Sequence, residues 1–237
     1  MKKNKIVFWA PFLSNVGTRS AVINSAISLS KYSKNKIFIF SVLGEFNDLK
    51  IKNIKIINIF NVKRFLPKTK IFSKIFLYFL SFISIPILIY KINSYKFNYI
   101  ISNLISVVPL ACYPFFKKTK IILSIQGYPR FNWLRSLIWR LFYSKAYLII
   151  TMSNFTKKLI KKKLRKKVKI YKINNPIITY KVQKYSSRKI EKKYDKLFRR
   201  KVVICVGRLT KQKNFYSLIV SLSENKIFKK EYNLLIL

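Results

Sequence analysis

Short hydrophobic runs alternate with longer stretches of helical periodicity along much of the chain. The runs that predict strands are residues 6–12, 36–42, 54–60, 120–125, 147–152 and 168–173. Between the first two runs, residues 19–32 place apolar side chains on one helical face. Strands that alternate with helices are typical of a parallel sheet covered by helices. The pattern therefore predicts a doubly wound, Rossmann-like α/β domain.

A second strand and helix follow near the end of the chain. Residues 202–206 form a continuous apolar run, which is expected of a strand covered on both faces. Gly207 allows the backbone to turn sharply after this strand. A helix is then predicted over residues 215–223, and residues 231–237 predict one more strand.

The predicted domain organisation has three parts. Residues 1–178 form the N-terminal Rossmann-like domain, and the polar residues 179–200 form an interdomain connection. Residues 201–237 supply the first βαβ piece of a second Rossmann-like domain, and this stretch is too short for an ordinary domain.

The most hydrophobic stretch, residues 75–90, has no charged residue and is interrupted by Pro86. A membrane-spanning helix usually needs about 20 residues. Three interpretations stay open: a buried crossover helix, a helix lying in the membrane interface, and a membrane span. In the second interpretation, the cations at the lipid headgroups are Lys68, Lys70, Lys74 and Lys91.

Residues 133–143 interleave apolar and basic side chains. The apolar spacing is helical and predicts a face directed at the core. Arg130, Arg135 and Arg140 alternate with aromatic residues, a combination that also occurs in nucleic-acid-binding proteins. The arginines suit a membrane-facing rim at least as well.

The charge of the chain is strongly unbalanced. Its 237 residues include 50 Lys and Arg against 6 Asp and Glu, giving a net charge of +44. Such an excess indicates a polyanionic neighbour, namely an anionic membrane, a phosphorylated substrate or nucleic acid. A compositional bias towards Lys, Ile, Asn and Phe accounts for most of the excess, and we do not expect nucleic acid as the partner.

The scarcity of acids and histidine excludes several kinds of site. The chain has no histidine and no Asp-x-Asp pair, so His-based triads, His-ligated zinc sites and the usual metal site for a nucleotide sugar are excluded. No metal or separate cofactor is therefore expected. Cys112 and Cys205 stand alone in apolar runs and are expected to be buried thiols, as in a reducing cytosol.

The segment after residue 206 is suited to a phosphate-type anion. Gly207 precedes a predicted helix start, and Arg208 and Lys213 provide fixed cations beside it. The alternative is an ordinary glycine turn with two of the many cations of the chain.

The sequence VGRLTKQKNF resembles the start of the C-terminal domain in retaining GT-B glycosyltransferases of the group 1 type. In that family, the Arg and Lys of the matching segment hold the diphosphate of a nucleotide-sugar donor. The resemblance assigns these roles to Arg208 and Lys213.

Earlier segments resemble the same family in the same order. Gly17 corresponds to one glycine of a pair at the catalytic cleft, with Val16 in place of the other. Gln126-Gly127 stands where the family commonly has His-Gly on the acceptor side of the cleft. Gln126 can hydrogen-bond a sugar hydroxyl but cannot act as an acid or base; its alternative role is an ordinary loop residue.

The resemblance implies a glycosyltransferase, or the N-terminal fragment of one, that acts in cell-surface glycan synthesis. Its substrates would be a nucleotide-sugar donor and a polysaccharide or lipid-linked saccharide acceptor. The protein would be cytoplasmic and peripheral at the inner face of the cell membrane. Because the family's later donor-binding elements are absent from the sequence, we expect a truncated chain that is weakly active or inactive alone. A split gene, a frameshifted copy and an incomplete sequence are the three explanations, and a split gene would encode the C-terminal portion separately.

A second hypothesis rests only on the excess of positive charge and on the aromatic residues. The chain would then be a non-catalytic basic module that binds membranes or nucleic acid, and its binding would be sensitive to salt.

Overall fold

The computed structural model divides the chain into two compact units, Met1–Ile177 and Ile178–Leu237. It describes residues 3–13, 17–62, 70–129, 131–164, 168–177, 179–211 and 213–237. Val16, Lys68, Arg130 and Gln212 lie outside these residues, as does the side chain of Lys70.

The first unit is built on a parallel sheet of seven strands in the order β3-β2-β1-β4-β5-β6-β7. The strands are β1 (Lys5–Trp9), β2 (Lys36–Ser41), β3 (Ile54–Asn58), β4 (Tyr99–Ser102), β5 (Lys120–Ile125), β6 (Leu148–Thr151) and β7 (Lys169–Lys172). The helices are α1 (Gly17–Tyr32), α2 (Lys70–Ile83), α3 (Ile85–Tyr95), α4 (Val107–Ala111), α5 (Trp133–Leu141) and α6 (Asn154–Lys163). The predicted doubly wound parallel sheet is confirmed.

Both faces of the central strands are buried, which explains why their sequences are apolar at consecutive positions. On one face, Val7, Trp9 and Phe40 belong to a core that also contains side chains of α2 to α6. On the other face, Ile6 and Phe8 belong to a second core that contains side chains of α1.

The hydrophobic stretch around Pro86 forms two helices rather than one. Because proline cannot donate a backbone N–H and its ring clashes with the preceding turn, α2 ends at Ile83 and α3 starts again at Ile85. Among the described residues, no single helix is long and apolar enough to cross a membrane. Phe72–Ile83 and Ile85–Tyr95 meet that criterion only as a pair, with a bend of 48° between them.

The position of α5 corrects the prediction that its apolar residues face the core. Only Trp139 is buried, against the rings of Phe131 and Tyr143. Trp133 is 81% exposed, and Leu134 and Leu141 are about half exposed. The spacing was that of a helix with an apolar face, but that face is directed at solvent.

The second unit contains a two-stranded parallel sheet formed by β8 (Lys201–Cys205) and β9 (Tyr232–Ile236). Its helices are α7 (Thr179–Ser186), the 3-10 helix Lys192–Arg199, α8 (Phe215–Glu224) and α9 (Lys226–Glu231). The prediction that β8, the first strand of this unit, is covered on both faces is wrong. Ile204 is 51% exposed and Cys205 is half-buried, because β8 has a single neighbouring strand in the described residues. Cys112, in contrast, is buried as predicted, and its burial raises the pKa of the thiol to about 12.

One carboxylate of the first unit is fully buried. Glu45 follows β2, and its Oε2 accepts hydrogen bonds from the backbone N–H of Leu43 at 2.6 Å and the hydroxyl of Ser41 at 3.3 Å. Its Oε1 has no hydrogen-bond partner among the described residues. Burial raises the pKa of Glu45 because it penalises the charged form.

We expect Glu45→Gln to be more stable than the wild type at about pH 8 and equally stable at about pH 4. The folded wild type binds its proton more tightly than the unfolded chain, so its free energy of unfolding falls as the pH rises through the folded pKa. Urea denaturation at several pH values measures this difference. Glu224→Gln, at an exposed site, is the matched control and should show no such trend. If Glu45→Gln and Glu224→Gln changed the pH dependence of the free energy of unfolding equally, burial of Glu45 would not be its cause.

Candidate functional site

The carboxyl ends of β1, β4 and β5 meet where the strand order reverses. β1 pairs with both β2 and β4, so the chain leaves β1 towards one edge of the sheet and leaves β4 towards the other. Open α/β sheets bind ligands at the carboxyl ends of strands at such a switch point. The loops after β4 and β5 are therefore the first place to look for a site.

These loops enclose a cavity of about 440 Å³. Its lining includes Thr18 at the start of α1, Asn103 and Ser106 after β4, and Gln126 and Gly127 after β5. Both predicted acceptor-side residues thus line one cavity. Gly17 is the neighbour of Thr18 and the first residue of α1, and a Cβ at Gly17 would meet no atom within 4 Å.

The amide of Gln126 is fixed at both ends. Its Nε2 donates to the hydroxyl of Ser124 at 2.7 Å, and its Oε1 accepts from Nδ2 of Asn175 at 2.7 Å. The segment around Asn175 is itself attached to α1, because Nδ2 of Asn24 donates to the carbonyl of Pro176 at 3.1 Å. Residues far apart in the sequence therefore position one neutral amide at the cavity.

Asn103 is a cavity residue that the sequence analysis missed. Its backbone N–H donates to the carbonyl of Trp9 at 2.9 Å, which holds it beside the end of β1. Its side-chain Oδ1 is buried and has no hydrogen-bond partner among the described residues. A buried acceptor without a partner costs about 1–3 kcal/mol, so a donor from a ligand would be favourable here. The sequence feature that could have identified Asn103 is a polar residue directly after a strand at the switch point.

The remaining wall of the cavity is aromatic and uncharged. Trp139 and Tyr143 line it, and their rings stack with centroids 4.2 Å apart. Desolvation, together with nearby Tyr78, raises the pKa of Tyr143, so its phenol stays neutral. Amides, hydroxyls and aromatic faces around one cavity can hold a polyhydroxy compound through hydrogen bonds and apolar contact.

In the second unit, the segment after β8 continues the strand pairing. The N–H of Gly207 donates to the carbonyl of Leu237 at 2.8 Å. A Cβ at Gly207 would lie 3.3 Å from Cζ of Phe215 and 3.4 Å from Cδ of Lys213. A side chain at Gly207 would therefore make tight contacts with Phe215 and the stem of Lys213. The backbone of Gly207 does not adopt the left-handed conformation that a sharp glycine turn uses.

Arg208 and Lys213 are exposed, and neither forms an ion pair with a carboxylate of the described residues. The helix α8 starts two residues after Lys213. Its N-cap, Asn214, has φ 50°, and its side chain accepts no backbone N–H of the first turn. Its Oδ1 instead accepts the hydroxyl of Ser217 at 3.0 Å. The N–H groups of that turn are left for another acceptor, which is the arrangement that favours an anion. No cluster of three or more acidic or cysteine side chains that could hold a metal occurs in the described part of the chain.

Neither the protein-family models nor the curated protein sequences contain a match to this chain. Solved structures do match it. A glycosyltransferase from Rickettsia africae aligns with 100% of the chain at 15% identity and a TM-score of 0.59. Anabaena HepE in complex with UDP-glucose aligns with 98% at 12% identity and a TM-score of 0.62. The trehalose-6-phosphate synthase OtsA aligns with 99% at 10% identity and a TM-score of 0.71.

The chain shares the fold of the GT-B glycosyltransferases. It spans 69%, 60% and 64% of the length of those three structures. The GT-B fold is not confined to transferases among the matches, because a UDP-N-acetylglucosamine 2-epimerase from Rickettsia bellii aligns with 100% of the chain at 11% identity and a TM-score of 0.53. The comparisons establish the fold and do not identify the reaction.

Proposed function

We propose that the chain is a glycosyltransferase, or the N-terminal portion of one, that uses a nucleotide-sugar donor and a polysaccharide or lipid-linked saccharide acceptor. The observation that carries this proposal is the segment GRLTKQKN directly after the parallel strand β8, in a chain with the GT-B fold. A basic protein without this chemistry has no need for that segment at that place.

The donor would be held through its diphosphate. Arg208 and Lys213 supply two positive charges, and the first turn of α8 supplies N–H groups without a side-chain cap. As the bond between sugar and diphosphate breaks, negative charge grows on the departing diphosphate. Fixed cations and N–H dipoles that stabilise this charge more in the transition state than in the ground state increase the rate.

The acceptor would be held in the cavity at the carboxyl ends of β4 and β5. Asn103 Oδ1 can accept a hydrogen bond from a sugar hydroxyl, which would give this buried oxygen a partner. Gln126 already makes two hydrogen bonds, and its amide has capacity for one more donor and one more acceptor contact. Trp139 and Tyr143 would contact the sugar ring.

The proposal includes a location and partners. The chain would work in the cytoplasm, attached peripherally to the inner face of the cell membrane, where anionic lipids complement its net charge of +44. Nucleic acid is not a partner in this proposal.

Epimerisation of a nucleotide sugar is the second candidate, because one matching structure is such an enzyme. Inversion at a carbon atom of the sugar requires groups that take and return a proton. The sequence has no histidine and 6 acidic residues, of which Glu45 is buried beside β2. This composition favours transfer over epimerisation.

Deletion of the gene in its host tests the function of the protein as it exists in the cell. We expect one sugar to be lost from the surface glycans, measured as the monosaccharide composition of the cell envelope. The wild-type gene and Lys211→Ala should restore it, because Lys211 stands at a position of the segment that the family does not specify, whereas Arg208→Ala should not. An unchanged composition after deletion, or full restoration by Arg208→Ala, would contradict the proposal.

A further inference from the structure

The helix α2 is apolar on two sides. Leu77 and Leu80 are buried in the core of the first unit. The opposite side carries Phe72, Ile75, Tyr78, Phe79, Phe82 and Ile83, which are 46–64% exposed. A helix that is apolar all round is typical of a large core or of a membrane, and a contiguous exposed apolar patch marks an interaction site.

The helix α5 adds a second exposed apolar side close to the first. Leu134, Leu137 and Leu141 lie on one helical face and are 45–53% exposed, and Trp133 is 81% exposed. The two helices cover the same face of the sheet, because Leu80 and Trp139 belong to one core. Tyr78 of α2 also lies near enough to Tyr143, two residues after α5, to raise the pKa of its phenol.

We call these exposed side chains the α2–α5 surface. Its members are Phe72, Ile75, Tyr78, Phe79, Phe82 and Ile83 of α2 and Trp133, Leu134, Leu137 and Leu141 of α5.

The charges around this surface are all of one sign. Lys74, Arg135 and Arg140 are exposed on the same two helices. The sequence contains no Asp or Glu between residues 49 and 190. A second copy of the chain would bring the same positive charges to the contact and would be repelled. Nucleic acid would attract the cations but would leave the aliphatic side chains exposed.

We propose that the α2–α5 surface inserts into the headgroup region of an anionic phospholipid bilayer. The apolar side chains would enter the boundary between headgroups and acyl chains, and the cations would lie at the phosphates. An interfacial helix gains binding energy from both contacts. Because α2 and α3 are bent by 48° relative to each other, α2 can lie along the bilayer plane without α3.

This orientation places the acceptor cavity at the lipid surface. Trp139 of α5 and Tyr143 line the cavity, and Leu137 and Leu141 of the same helix belong to the inserted surface. If the proposed glycosyl transfer is correct, the acceptor is a lipid-linked saccharide that reaches the cavity from the bilayer, rather than a soluble polysaccharide.

Trp133 provides an intrinsic probe of insertion into vesicles that contain phosphatidylglycerol. Trp9 and Trp139 are buried, so a change in tryptophan emission on binding reports on Trp133. We expect a blue shift, quenching by brominated acyl chains, and protection from iodide. Trp133→Phe should retain binding and lose these signals. Vesicles of phosphatidylcholine alone should bind the chain at least about tenfold more weakly.

Phe79→Ser/Phe82→Ser tests the surface directly. We expect the partition coefficient into phosphatidylglycerol vesicles to fall by about tenfold or more, because two apolar anchors are lost. Tyr32→Ser is the matched control: Tyr32 is 77% exposed on α1, which packs on the other face of the sheet, and binding should change by less than about twofold. Circular dichroism and urea denaturation of each variant show that it is folded.

Three outcomes would overturn the proposal. The first is binding of the chain to vesicles with Trp133 still open to iodide, which would mean attachment by charge alone. The second is binding of the double variant to vesicles as tightly as the wild type. The third is a double variant that loses DNA binding or self-association while its vesicle binding is unchanged. UDP binding, measured on the same samples, is independent of these results, so a failure of membrane insertion and a failure of the proposed transferase function can be distinguished.

Discussion

Arg208→Ala and Lys213→Ala are each expected to weaken binding of UDP to the full 237-residue chain by about tenfold or more. Both side chains are exposed. Lys213 lies two residues before α8, and Gly207, the neighbour of Arg208, packs against Phe215 at the start of that helix. We therefore expect each cation to make a charge-assisted hydrogen bond to the diphosphate. Isothermal titration calorimetry at physiological salt measures the dissociation constants.

Lys211→Ala is the matched control for these two variants. Lys211 is exposed in the same loop and stands at a position that the family does not specify, so its loss should change UDP binding by less than about twofold. Equal losses from all three variants would show that UDP is attracted by the general positive charge of the chain. That result would support the non-catalytic basic module instead.

Phe97→Ala is expected to lower the free energy of unfolding of the first unit by about 3–5 kcal/mol. Phe97 is 2% exposed, at the junction of α3 and β4. Its ring contacts those of Phe38 and Tyr95, with centroids 5.0 Å and 5.5 Å away. Its removal would leave a cavity where α3 is anchored to the sheet. Urea denaturation monitored by circular dichroism measures the loss.

Phe115→Ala provides the control for the same change of side chain. Phe115 is 64% exposed, and the substitution should cost less than about 1 kcal/mol. A loss from Phe97→Ala as small as that from Phe115→Ala would contradict the packing described for the first unit.

The sheet of the first unit was predictable because its strands are apolar at consecutive positions. Residues 120–125 were predicted as a strand and form β5 with those bounds. The first strand was predicted too long, as residues 6–12, because the apolar run continues beyond Trp9. Phe12 is buried outside the sheet, with its ring 5.1 Å from that of Phe46. An apolar run therefore indicates that its residues are buried, but it does not show where strand pairing ends.

Helix ends were predictable where one side chain determines them. Ser153 precedes α6, and serine is a preferred N-cap residue. Its hydroxyl accepts the N–H of Thr156 at 3.1 Å. The exposure of α5 was not predictable, because periodicity identifies an apolar face and not the medium that this face contacts. The prediction assumed that the apolar face of a helix contacts the protein core.

The candidate site was predictable only in part. Gln126 and Gly127 were identified through the resemblance to the His-Gly of the glycosyltransferase family, and both line the cavity. Asn103 was missed, since its role depends on the pairing of β1 with β4, which lie far apart in the sequence. Its unpartnered Oδ1 is a property of the folded chain that no local pattern contains.

An amide-resolved NMR titration of the full chain with UDP tests whether Arg208, Lys213 and the first turn of α8 bind the diphosphate. We expect the largest chemical-shift changes at residues 207–214 and in the first turn of α8, and Arg208→Ala should remove them. Shifts spread over the lysine-rich surface of both units, or no shift in that segment, would exclude this binding site.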